Sequence, residues 1–95
     1  MKLAIALLVV AAACSSTGRV VEGRLIEVQG DLSAIESFVV LTSDGESFEF
    51  VADAAATFHD GPLSHIRDHL ISGEPIVVSY TERDGQRVAT GVEDG

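Results

Sequence analysis

The sequence predicts a mainly β protein, a small five-stranded barrel with one short helix between the third and fourth strands. Three observations lead there. Beyond Cys14 the apolar residues fall in short runs separated by Gly, Asp and Ser, the pattern of strands joined by tight turns. One segment, Pro62 to Ser72, instead carries its apolar residues at helical spacing. Three strand-like runs precede that segment and two follow it, with no internal repeat and no linker.

Arg19 to Val28 reads as a long first strand. Val21 and Leu25 share one phase of the two-residue alternation, and Ile26 and Val28 the other, so a bulge or bend is expected, made easier by Gly23. Phe38 to Thr42 and Phe48 to Ala52 follow, joined through Ser43-Asp44-Gly45-Glu46, a hairpin signal because Gly and Asp tolerate positive φ. Phe48 and Phe50 alternate with Glu49, which gives one buried and one wet face. In the helical segment Pro62 suits the first turn, where its missing N–H costs nothing, and Gly73 is placed to stop the helix. Leu63, Ile66 and Leu70 form the expected core stripe. Pro75 to Thr81, with Ile76, Val78 and Tyr80 in phase, and Gln86 to Val92 flank Asp84-Gly85 and should pair antiparallel.

Three strands, a helix and two strands, the first strand long and bent, resemble an OB-like barrel over Arg19 to Val92, with the helix plugging one end. The resemblance implies a binding fold, and OB folds often take oligonucleotides. This chain lacks the cationic groove lined with stacking aromatics that single strands need. Its aromatics are Phe38, Phe48, Phe50, Phe58 and Tyr80, at least three of them in core phase, and no basic cluster accompanies them.

Residues 1–13 read as a secretory signal peptide: Lys2 supplies the positive start, Leu3 to Val10 the apolar run and Ala11-Ala12-Ala13 the small residues. Leu3 to Ala13 rises only about 16 Å as a helix, against a hydrocarbon core of ~30 Å, so it is too short to span. The run closes on Cys14, the sole cysteine, and this arrangement resembles the lipobox of bacterial lipoproteins. That family's pattern usually has Leu where Ala11 stands. The resemblance implies cleavage before Cys14, a diacylglycerol and palmitate anchor on its thiol, and a place on the outer face of the bacterial cell membrane. The expected organisation is therefore a leader over 1–13, a lipidated cysteine and short tether over 14–18, and the barrel over 19–93. The chain also resembles short acidic envelope proteins of high-GC bacteria, in keeping with five Arg against one Lys.

Removing the leader, and with it Lys2, leaves 82 residues in which five Arg face 15 carboxylates, a net charge of −10. That field opposes binding to nucleic acid, whose affinity comes mainly from cationic contacts to phosphate, and it is repelled by anionic headgroups. The domain is expected to be held by its anchor, with a protein or small-ligand partner near the bilayer. Four residues, Ser15 to Gly18, reach at most about 14 Å. An acylated Cys14 leaves no thiol for a disulfide, so packing alone must hold the fold.

The cluster with chemical potential is His59-Asp60 with His65 and His69. On a regular helix His65 and His69 stand one above the other, about 140° from the apolar stripe and so toward solvent, where they could chelate a transition-metal ion with His59 or Asp60 as third ligand. The same pattern also describes an ordinary solvated face. Ile66 stands where a zinc-protease helix has Glu. No serine lies in a nucleophile elbow and no glycine loop is spaced to cradle phosphate, so no enzyme is expected. The acidic turns 43–46 and 82–85 do not match a twelve-residue EF-hand loop.

Overall fold

The computed structural model describes residues 18–31, 34–59 and 61–95, so the leader, Cys14 and Asp60 lie outside the described residues. The first strand, β1 (Arg19–Gly30), is twelve residues long and serves two neighbours. Its first half, Arg19 to Arg24, pairs antiparallel with β5 (Pro75–Arg83), and its second half, from Arg24 on, pairs with β2 (Ile35–Leu41). The handover at Arg24 curls the sheet. The expected change of phase falls just beyond it: Leu25 opposes Val40 and Glu27 opposes Val39, which leaves Ile26 as the extra, exposed residue of a bulge. Gly23 does a different job from the one expected. A β-carbon there would lie 2.4 Å from the Leu41 carbonyl oxygen, so only glycine lets β1 and the end of β2 come this close.

The next strand, β3 (Ser47–Phe58), pairs antiparallel with β2 through Ser47 to Val51. It runs six residues past the expected end at Ala52. The missed part, Asp53 to Phe58, carries three consecutive alanines and little β-propensity. It is held by its neighbour β6 (Gln86–Asp94), against which β3 runs parallel at Val51–Ala52 and again at Thr57–Phe58. Antiparallel pairing of β5 with β6 completes the ring β1-β2-β3-β6-β5, a closed OB-like barrel, as the element order predicts. A two-residue strand, β4 (Gly61–Pro62), folds back on Thr57–Phe58. Both hairpins form where expected. Gly45 has φ 90° in the first, while Asp84 and Gly85 have φ 50° and 80° in the second, the pair of positive values a two-residue turn requires.

Alternating side chains fill the interior: Phe38 and Val40 of β2, Phe50 of β3, Ile76, Val78 and Tyr80 of β5, and Ala89 and Val92 of β6 are all buried. Phe50 sits between Phe38 (5.4 Å between ring centroids) and Tyr80 (5.2 Å, edge to face). Leu63 and Ile66 close one end.

Those two residues belong to a 3-10 turn, Leu63–Ile66, which passes into α1 (Arg67–Ser72). Pro62 therefore precedes the helical segment in extended conformation, with ψ 141°, rather than opening it. Gly73 stops α1 as expected, with φ 76° and its N–H donating to the His69 carbonyl at 2.9 Å. The tight turn changes the face. Residues three apart eclipse in a 3-10 turn, so the inward series is Leu63, Ile66, His69. Leu70, expected in the core stripe, is 41% exposed, and Ile71 is 88% exposed.

Candidate functional site

At the end of β3 the chain turns sharply at His59, whose φ of 56° is left-handed and whose N–H donates to the Val92 carbonyl at 2.9 Å. This bond fixes His59 beside the last residues of β6. The strand β6 runs two residues past the expected Val92, and its final residue, Asp94, reaches the same corner. From the other side α1 delivers His69, the only buried polar or charged residue among the described ones.

The three side chains meet. Asp94 Oδ1 lies 3.0 Å from His69 Nε2, and Asp94 Oδ2 lies 3.2 Å from His59 Nε2, so one carboxylate bridges two imidazoles. The second nitrogen of His69, Nδ1, lies 3.2 Å from the Glu74 carbonyl oxygen. A carbonyl only accepts, so Nδ1 carries the proton and donates it. Phe58 backs the cluster, its ring centroid 4.5 Å from His59 and 5.3 Å, edge to face, from His69. The His69 side chain is 10% exposed, against 50% for His59 and 60% for Asp94, so the cluster has a buried floor and an open mouth.

Of the residues singled out in the sequence, His59 and His69 are brought together. The expectation that His65 and His69 share a solvent-facing side is corrected: the 3-10 turn rotates His69 inward, while His65 stays exposed with Nδ1 3.6 Å from where a β-carbon on Gly61 would stand. Asp94 carries no local signal. It follows an apolar run as an ordinary strand-end acid, 35 residues from His59, and only barrel closure joins them. Among the described residues no group of three His, Cys, Asp or Glu is placed to hold a metal ion; here the carboxylate stands between the two imidazoles in hydrogen-bond contact.

Elsewhere, an open groove of about 670 Å³ lies where β1 parts from β5, lined by Glu22, Arg24, Thr42, Ser43, Gly73 and Pro75. Half-buried Phe48 is covered by the Arg87 guanidinium, 4.7 Å from its ring centroid, so this aromatic is no open platform for a base. None of the described helices is long and apolar enough to cross a membrane.

No family model matches the chain, and no curated protein matches it. Among solved structures the chain is similar to one described as the crystal structure of Ag(I)CusF, with a TM-score of 0.56 at 3% sequence identity, covering 83% of this chain and 99% of that one. The likeness is one of fold: a barrel of this size and winding carried by an almost wholly different sequence.

Proposed function

We propose that the chain is a lipid-anchored, non-enzymatic binding module of the bacterial envelope, held at the outer face of the cytoplasmic membrane by a diacylglycerol on Cys14. The observation that carries this reading is the distance between the anchor motif and the barrel. Strand β1 begins at Arg19, with only four residues, Ser15 to Gly18, between it and Cys14. At ~3.5 Å per residue those four reach about 14 Å, which keeps the barrel against the bilayer. With a net charge of −10 once Lys2 is lost, the barrel is repelled by anionic headgroups, so the acyl chains are what hold it.

The binding role is supported by what the barrel gathers. The polar corner around buried His69 presents two imidazoles and a carboxylate, which hold ligands well, and the contacts there include no hydroxyl or thiol nucleophile. Silver(I), the ion named with the structural neighbour, does not suit residues 18–95. Soft monovalent ions favour thioether and thiolate sulfur. The chain's single Met and single Cys are Met1 and Cys14, both outside the barrel.

Labelled palmitate fed to growing cells tests the anchor. Incorporation that Cys14→Ala abolishes is expected, together with release of the protein from membranes; an unmodified Cys14 thiol by intact mass refutes the reading.

A further inference from the structure

We propose that the barrel lies against the lipid surface on one side, made of the outward face of β1 from Val20 to Ile26 together with Leu70 and Ile71 of α1. The inference rests on the anchored-module reading and adds to it which side of the module meets the bilayer.

The exposed apolar residues are not scattered. Four large ones stand out among the described residues, Val20 at 63%, Ile26 at 44%, Leu70 at 41% and Ile71 at 88% exposed. In β1 the exposed Val20, Glu22 and Arg24 alternate with half-buried Val21 and buried Gly23 and Leu25, so they share the outward face. The bulge then turns Ile26 out as well. Helix α1 packs along the same strand. At its start the Arg67 guanidinium donates to the Asp31 carbonyl just past β1, and beyond its end Gly73 and Pro75 line one groove with Gly23 and Arg24. Leu70 and Ile71 stand between these two ties, beside the stretch of β1 that holds Ile26. One side of the barrel thus carries all four. Isolated surface apolar residues need no explanation, whereas gathered ones mark a contact face.

What covers this side follows from the chain that leads into it. Arg19, next to Val20, is joined to Cys14 through Ser15 to Gly18 alone, a reach of at most about 14 Å. Val20 to Ile26 spans roughly 20 Å of strand, so a barrel lying with β1 along the surface brings the whole face to the lipid, whereas one standing on end holds part of it away. Charge selects the same side. The chain carries a net charge of −9, yet between Val20 and Ile26 the outward charges are Glu22 and Arg24, which cancel. Among the described residues Arg24 is in no ion pair. Its long stem lies along apolar surface while the guanidinium reaches a lipid phosphate, the arrangement that Arg adopts at an interface.

The test is NMR of the acylated protein in phosphatidylcholine nanodiscs, with and without a gadolinium-chelating lipid. Methyl signals of Val20, Ile26, Leu70 and Ile71 are expected to be lost to gadolinium broadening, while Val51 on β3, which is not a neighbour of β1 in the barrel, keeps its signals. Val20→Asp combined with Ile71→Asp changes exposed side chains, so the circular dichroism is retained and the Ile26 and Leu70 signals return. Equal broadening of Val51 and the four residues, or broadening of Ile26 and Leu70 that survives the double substitution, overturns the proposal. So does a loss of the four signals without gadolinium that grows with protein concentration, which assigns the face to a second copy of the chain. Intact mass separates the two readings: a chain without acyl mass removes the anchor and this face with it, whereas an acylated chain whose four residues keep their signals removes the face alone.

Discussion

Gly23 shows how much one missing side chain does here. A β-carbon would stand 2.4 Å from the Leu41 carbonyl oxygen and 2.8 Å from a Val40 methyl, both on β2, and neither neighbour is the loose end of a flexible side chain. Gly23→Ala is expected to destabilise the full chain by about 1–3 kcal/mol in urea unfolding, the usual cost of overpacking. Asp44 makes a gentler point. Hydrogen bonds from the Thr42 hydroxyl and then from the Glu46 N–H hold its carboxyl below the ordinary value of 3.8. A depressed folded value means that the turn's contribution is present above the unfolded value and lost as pH falls through the folded one, so the window lies below 3.8. Carboxyl NMR should place the Asp44 midpoint under 3.8, and Thr42→Val should move it upward. At this scale the sequence reveals the turn residues, because Gly and Asp at hairpin positions act locally. It does not reveal the corner made by His69 and Asp94. Which helix face turns inward, and where the last strand ends, depend on tertiary contacts.

The short helical segment is the element where expectation and structure part. Apolar spacing locates it correctly between the third and fourth barrel strands, and Gly73 ends it as expected. What spacing alone does not supply is the pitch. With its first turn wound as a 3-10 helix, Ile66 is fully buried whereas Ile71 is 88% exposed. Ile66→Ala should therefore cost about 2–5 kcal/mol as a core truncation, while Ile71→Ser should stay within about 0.5 kcal/mol. Equal losses in urea unfolding would mean that the helix presents a different face. The long third strand teaches a related lesson. Its Asp53–Phe58 half has no alternation to announce it, and it is strand because β6 lies alongside at Thr57 and Phe58. Elements with their own periodicity were legible; those made by their neighbours were not.

Across the whole molecule, closure is what the element order correctly implied. The bend of β1, shared between β5 and β2, and the parallel contact of β3 with β6 turn five of the strands into a closed barrel with one short helix at its end. In the proposed reading the 15 carboxylates give the surface a strong negative field. If Cys14 is lipidated as proposed, the four residues between it and Arg19 hold the barrel within about 14 Å of the membrane. The most direct measurement is the intact mass of the protein recovered from cell membranes. The account predicts a chain beginning at Cys14 and carrying a diacylglycerol with fatty acyl mass, absent in Cys14→Ala. A full-length chain in the soluble fraction, with Lys2 present and the Cys14 thiol free, would contradict it.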